Sequence, residues 1–229
     1  MLGGVLKLLQ ERYFKDPLLE ENPLIMWRWL YYCFTTVYRI LFTIWGHWKI
    51  TGRAFMPKKG GVIVASNHMS YVDPPLVGTA IVRPAYFLAK AELFQVPLFG
   101  RVIARIGAFP VRRATADRAA VKRALEILKR GEPVVIFPEG TRREPGTLGE
   151  AENGFGWIAY RARVPVLPVA VIGSNDLLPR GAKFIKSSHV EVRIGKPIRF
   201  DDLWNAPDSR QAMKEIGERT MAAIQALMD

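Results

Sequence analysis

The sequence predicts an α/β fold: a single catalytic domain with a largely parallel central sheet flanked by helices, preceded by an amphipathic helical membrane-binding segment. Three observations predict it. Past Lys49, short apolar runs of strand length alternate with helix-like stretches, the pattern of repeated βαβ units. Before Lys49, Trp, Tyr, Phe, Leu and Ile are concentrated without an unbroken apolar run long enough to cross a bilayer. The chain of 229 residues, 49% hydrophobic and 24% charged, is long enough for one sizeable core and too short to make two ordinary domains the default. The expected division is residues 1–48 for the anchoring segment and 49–229 for the α/β domain.

In order along the chain, Met1 to Leu9 starts apolar, without a preceding basic region or a following small-residue cleavage site, so it does not read as a secretory signal. It reads as an amphipathic helix: Leu2, Leu6 and Leu9 share a face with Tyr13, and Lys7, Glu11, Arg12 and Lys15 supply the polar one. From Pro23 to Trp48 the longest charge-free run is Trp29 to Tyr38, between Arg28 and Arg39, well short of the roughly 20 residues a span needs. At about 100° per residue the two arginines share nearly one helix face. The expectation is a helix lying in the membrane interface, arginines toward lipid phosphates and aromatics in the acyl boundary. The alternatives are a helix packed on the domain's own core and a single span with snorkelling arginines.

Within the α/β domain, Val62 to Ala65, Tyr86 to Ala89, Val134 to Phe137 and Val166 to Val171 read as strands. Thr115 to Arg130 reads as a helix, with Thr115 as cap, Val121, Leu125 and Leu128 on its apolar face and Gly131 as its stop. Ala182 to Lys186 and His189 to Ile194 look like a pair of strands. Pro207 to Met228 reads as a closing helix with an inward stripe of Met213, Ile216, Thr220, Ile224 and Leu227.

Charge and cysteine content narrow the setting. A net charge of +12 and a pI near 10.0 favour polyanionic partners: nucleic acid, anionic lipid, phosphorylated metabolites or an acidic carrier protein. Nucleic-acid binding calls for exposed aromatics interleaved with the basic residues. Here the aromatics gather in the N-terminal segment and the charges around strand ends, so no nucleic-acid partner is expected. The single cysteine, Cys33, excludes an intramolecular disulfide and a CxxC site, which fits a reducing, cytoplasmic compartment.

The segment richest in chemistry is Ser66-Asn67-His68-Met69-Ser70-Tyr71-Val72-Asp73-Pro74, directly after a predicted strand. A histidine at the carboxyl end of a strand sits where α/β sheets place their ligands. An imidazole's ordinary pKa near ~6.5 suits proton abstraction. Asp73, five residues on, can fold back to hold one ring nitrogen protonated and leave the other as base. The same residues also admit a structural histidine beside an Asp helix cap. Ser70 lacks the GxSxG elbow of a nucleophile and reads as a turn hydrogen-bonder. No metal is expected, since His68 and Asp73 are too few ligands and His47 and His189 lie in unrelated segments.

A second segment, Val134 to Arg143, runs from a strand into a Pro-Glu-Gly-Thr turn and two arginines. Gly140 permits close backbone approach, and Arg142 offers a bidentate grip on an oxyanion. Glu139 reads as a brace for the arginines or the turn. Gly107 to Arg113 is another short strand ending in adjacent cations, and Lys90 follows a third.

Together these residues resemble the glycerolipid acyltransferase family, best known for the lysophosphatidic acid (acyl-glycerol-phosphate) acyltransferases. Asn67-His68 with Asp73 matches that family's NHxxxxD motif, and Ser70 gives its commoner form NHxSxxD. Phe109 to Arg112 resembles the second motif, Phe137 to Arg142 reads FPEGTR like the third, and Val164 to Val169 reads VPVLPV, similar to the fourth. The resemblance implies a fatty acyl transfer from acyl-CoA or acyl-carrier protein to the free hydroxyl of lysophosphatidic acid, giving phosphatidic acid; the alternatives are another lysolipid or glycerol phosphate as acceptor, or a non-catalytic basic membrane-binding module. His68 would be the general base, Asp73 its orienting partner, and Glu139, Gly140, Thr141 and Arg142, with Arg112 and Lys90, the holders of the acceptor phosphate. It implies no cofactor, an anionic membrane surface as partner, and a peripheral place on the cytoplasmic face of the cell membrane. There is one departure: Glu150-Ala151-Glu152-Asn153-Gly154 is acidic where related sequences commonly carry a basic residue before the glycine, which bears on the acceptor or donor rather than the reaction class.

Overall fold

A computed structural model describes residues 26–112, 117–144 and 146–229. The expectations for Met1 to Lys15 and for Thr115 lie outside the described residues. The described chain begins with α1 (Arg28–Ile44), then β1 (Lys49–Thr51), a 3-10 turn at Arg53–Phe55, and β2 (Val62–Ser66) leading through a loop to α2 (Asp73–Ala80). There follow β3 (Tyr86–Lys90), a 3-10 turn at Ala91–Gln95, α3 (Phe99–Arg105), β4 (Ala108–Val111), α4 (Arg118–Lys129) and β5 (Pro133–Ile136). The chain closes with α5 (Asn153–Ala162), β6 (Val166–Ile172), α6 (Ser174–Leu177), β7 (Glu191–Ile194) and α7 (Ser209–Met228).

The strands form one seven-stranded sheet in the order β1-β7-β6-β2-β5-β3-β4. β6, β2, β5, β3 and β4 run parallel; β7 runs antiparallel to β6, and β1 parallel to β7. Both sheet faces are covered, which is why β2 and β5 are buried throughout and, up to Ser66 at the end of β2, apolar rather than alternating. Alternate side chains of β2 still separate by face: Ile63 and Ala65 join Ile127, Ile158 and Ile216 under α4, α5 and α7, while Val62 and Val64 join Phe42, Leu76 and Val77 under α1 and α2. The strands expected at Val62 to Ala65, Tyr86 to Ala89, Val134 to Phe137 and Val166 to Val171 are present, each within a residue of its expected bounds, and His189 to Ile194 is found as the shorter β7.

Three expectations are corrected. The helix expected from Thr115 begins at Arg118, because the Asp117 carboxylate accepts from the Ala120 N–H and so caps the first turn. Ala182 to Lys186 is not a strand: β7 is already paired on both sides, by β6 and β1, and the Lys186 N–H instead donates to the Leu177 carbonyl. The arginines of α1 do not turn away from the domain. Arg28 Nη1 lies 3.8 Å from Glu132 Oε1, and Arg39 Nη2 donates to the Thr79 carbonyl at 3.5 Å. The cause is the end of α2, whose last carbonyls lack helical partners and draw Arg39 and Arg53 onto them.

α1 therefore has two apolar sides. Tyr31 and Phe42 are buried, the Tyr31 hydroxyl donating to the Gly78 carbonyl at 3.0 Å, while Trp29, Val37, Ile40 and Ile44 are exposed. Among the described residues no helix is long and apolar enough to cross a membrane.

Candidate active site

β2 lies inside the sheet between β6 and β5, and its carboxyl end runs straight into Asn67 and His68. Asn67 carries the ladder one step past the strand with its side chain. Its Nδ2 donates to the Val171 carbonyl at 2.9 Å, and its Oδ1 accepts from the Val171 N–H at 2.8 Å. That double clamp onto β6 fixes the backbone immediately before the histidine.

Asp73 opens α2, and its carboxylate points back into the preceding loop. Oδ2 accepts from the Met69 and Ser70 N–H groups, both at 2.6 Å, and lies 2.9 Å from His68 Nδ1. The loop thus folds around one carboxylate oxygen, and the spacing of five residues in the sequence becomes a direct contact. With Asp73 as acceptor, Nδ1 carries the proton and Nε2 is the basic nitrogen, with no hydrogen-bond partner among the described residues. Phe137 stacks on the imidazole, ring centroids 4.2 Å apart, so the ring is fixed in plane as well as in direction. The His68 side chain is 8% exposed and Asp73's is fully buried, so the pair lies just beneath the surface with only the imidazole reaching solvent. Ser70 Oγ donates at 2.9 Å to the Leu178 carbonyl, 108 residues away, rather than within its own turn as expected, so it ties the loop to the connection after β6.

The turn after β5 packs on the same loop. The Gly140 N–H donates to the Phe137 carbonyl, with Pro138 second and Gly140 last in a four-residue turn, and Gly140 adopts φ 66°, a conformation that suits glycine. Glu139 is buried under it. Its Oε1 accepts from the His68 N–H at 3.2 Å and its Oε2 from the Gly149 N–H at 3.0 Å. Arg143 Nε stands 3.2 Å from Oε2, at ion-pair distance but off hydrogen-bond alignment, and the Arg143 N–H donates to the His68 carbonyl. Glu139 is thus the brace that its sequence context suggested. The phosphate contact the resemblance implies for it is not available to a carboxylate engaged on both oxygens inside the protein.

Arg142 emerges above this turn with its guanidinium 3.6 Å over the Tyr71 ring, a cation–π contact that restrains it without neutralising it. Arg180 Nη2 donates to the Arg142 carbonyl while its Nη1 pairs with Glu144 at 2.6 Å, fixing the backbone as well. Asn67, His68, Ser70, Asp73, Glu139, Gly140, Thr141 and Arg142 therefore form one cluster. Lys90 and Arg112 stand apart, at the ends of β3 and β4, two and three strand positions from β2, or about 10 Å and about 14 Å at ordinary strand spacing. Lys90 Nζ is 3.2 Å from Glu92, and the Arg112 N–H donates to Asp117.

Sequence reasoning missed Tyr71 and Phe137 as partners of the site. Both sit inside segments it singled out, and an aromatic next to a polar motif on a strand-end loop was the available signal. Glu152, part of the acidic departure noted in the sequence, has its Cγ 3.0 Å from where a Cβ on Gly140 would stand, so an acidic side chain borders the glycine turn.

Fold and site define an α/β protein with a histidine–carboxylate pair facing an arginine-bearing turn across the carboxyl edge of its sheet. The chain belongs to the Acyltransferase family, which matches it over residues 47–172 and so over more than half its length. It is 27% identical over 194 residues to a 1-acyl-sn-glycerol-3-phosphate acyltransferase of Bacillus subtilis, covering 83% of this chain and 94% of that protein. It is 31% identical over 185 residues to a lyso-ornithine lipid O-acyltransferase of Pseudomonas aeruginosa, covering 73% of this chain and 70% of that one. The crystal structure of the 1-acyl-sn-glycerophosphate (LPA) acyltransferase PlsC from Thermotoga maritima superposes with a TM-score of 0.69 at 25% identity, covering 97% of this chain and 89% of that one.

Proposed function

We propose that this acyltransferase acylates the free hydroxyl of lysophosphatidic acid, giving phosphatidic acid, with acyl-CoA or acyl-carrier protein as donor. The observation that carries the reading is the His68–Asp73 pair at 2.9 Å, with Nε2 unpartnered among the described residues, beside a turn that presents Arg142. His68 Nε2 takes the hydroxyl proton as the oxygen attacks the thioester carbonyl, and Asp73 holds the Nδ1 proton and stabilises the imidazolium that forms. The thiolate then leaves, and the proton on Nε2 is available to it. No acyl-enzyme is required, since the thioester supplies its own leaving group. The turn Gly140-Thr141-Arg142 receives the acceptor phosphate through the Arg142 guanidinium and the Thr141 hydroxyl, since the Gly140 and Thr141 N–H groups already donate to the Phe137 and Glu139 carbonyls, with Lys90 and Arg112 reaching in from β3 and β4.

The relatives' names support this acceptor, four-fifths of the chain being covered by one of them. A second acceptor class is favoured by one observation. Glu152 beside Gly140 places negative charge where a phosphate would lie, and the relative from Pseudomonas is named for a lyso-ornithine lipid. Thioester release measured with lysophosphatidic acid, neutral lysolipids and lyso-ornithine lipid decides between them. Preference for lysophosphatidic acid is expected; turnover of lyso-ornithine lipid alone would transfer the assignment to the second class.

The membrane is the proposed setting, on the cytoplasmic face and without a span. Its support is the exposed row Trp29, Val37, Ile40 and Ile44 on α1, together with a net charge of +12.

A further inference from the structure

The direction of the strands places three separate connections on one edge. β6 runs parallel to β2 and β7 antiparallel to β6, with Ile172 paired to Glu191, so the whole stretch 173–190 hangs off the edge at which β2 delivers His68. β3 also runs with the central strands, so residues 91–98 leave the same edge on the other side of His68. The carboxyl end of α1 joins them, its Trp45 and Gly46 carbonyls accepting from the Ser188 and Val190 N–H groups.

The two most exposed large apolar side chains among the described residues stand on these connections. Phe184 is 82% exposed in the first, and Leu98 is 74% exposed in the second. Each has exposed cations beside it: Lys183 and Lys186 around Phe184, and Arg101 one turn beyond Leu98. Leu98 is also held at φ 64°, a backbone conformation that costs a leucine energy and persists here at an exposed position of its loop.

We infer that these tips form a lipid-docking rim around the crevice: Phe184 and Leu98 insert on opposite sides of His68 into an anionic bilayer leaflet, while Lys183, Lys186 and Arg101 meet its phosphates. This rests on the acyl transfer proposed above and adds how the acceptor reaches the base. Charge decides the occupant, because basic residues at both tips and a net charge of +12 complement an anionic surface. Shape agrees with charge. Phe184 and Leu98 are exposed points on connections that leave strands three positions apart in the sheet, and a fluid leaflet admits isolated points without preformed pockets, whereas a rigid protein partner must supply a pocket for each. A crevice mouth seated this way opens on the headgroup layer, so an acceptor's hydroxyl can reach His68 while its acyl chain stays in the leaflet.

The test uses the full chain, Leu98→Ser, Phe184→Ser and their combination, with vesicles of phosphatidylglycerol and phosphatidylcholine in equal parts and vesicles of phosphatidylcholine alone. Removing each apolar tip should weaken binding to the anionic vesicles about tenfold, for a side chain that inserts only in part. Turnover of a long-chain acceptor embedded in those vesicles should fall with binding. Turnover of a short-chain, water-soluble acceptor should stay unchanged, which also shows that the variants fold. An environment-sensitive fluorophore on Phe184→Cys or Leu98→Cys, in a Cys33→Ser background, should shift to the blue on adding anionic vesicles. Unchanged vesicle binding in the double variant overturns the rim. So does a loss confined to reactions with acyl-carrier protein as donor, which would make the rim a carrier dock. If the parent turned over neither acceptor, the proposed function would fail on its own, and vesicle binding and fluorescence would still decide the rim.

Discussion

His68 and Asp73 show how little of a site the residue types contain until the backbone is folded around them. One carboxylate oxygen of Asp73 gathers two loop N–H groups and the imidazole, so its removal disturbs both ring orientation and loop shape. His68→Ala is expected to lower turnover by roughly 10²–10⁴-fold, the range for loss of a positioned general base, with thermal unfolding little changed. Asp73→Asn should also lose activity, because an amide offered to Nδ1 no longer selects the tautomer with a basic Nε2. Near-parental turnover in His68→Ala would remove the base assignment. Arg142→Ala should raise the acceptor KM far more than the donor KM. A rise confined to the donor would reassign Arg142 to the phosphates of coenzyme A. Tyr71→Ala should give a milder acceptor defect that Tyr71→Phe does not share, since the ring face and not the hydroxyl carries the cation–π contact.

At the scale of elements, the site depends on clamps between strands. Asn67 bonds both polar groups of Val171, so Asn67→Ala leaves a buried donor and acceptor on β6 unpaired and should cost about 1–3 kcal/mol, read from the denaturation midpoint. Activity should fall as well, because the same clamp sets the backbone before His68. α7 shows a simpler local rule. Asp208 accepts from the Arg210 and Gln211 N–H groups, and Asp208→Ala should cost about 1 kcal/mol without touching kinetics. The inward stripe expected on α7 is centred on Ile216, Thr220 and Ile224, which are buried, while Met213 and Leu227 lie at its margin. Periodicity found the face correctly, and the structure adds the buried Ala212, Gly217 and Met221 to it.

For the whole molecule, the open question in the sequence was whether Pro23 to Trp48 belongs to the membrane or to the core. α1 belongs to the core through Tyr31 and Phe42, and its row from Trp29 to Ile44 faces out, on the side proposed to meet the membrane. Deleting Met1 to Trp48 should therefore destabilise the domain itself. Exchanging Trp29, Val37 and Ile40 for serine should spare the fold and weaken binding to anionic vesicles in sedimentation. Binding should also weaken as salt is added, since basic residues near the surface contribute about 1 kcal/mol each and are screened within a Debye length.

The sequence by itself determined the class of fold, the parallel strands and the histidine, aspartate and arginine motifs, because apolar periodicity and motif spacing are local properties. It also placed Cys33, the charge and the arginines that interrupt the apolar segment. Tertiary structure alone decided what those arginines face, since the unpaired carbonyls that attract Arg39 belong to α2, forty residues away in the chain. It decided that Ala182 to Lys186 is a loop, because whether a strand has a free edge depends on its neighbours in the sheet. It turned Glu139 inward to His68 and brought Tyr71 under Arg142, contacts across sequence separations that no local pattern records.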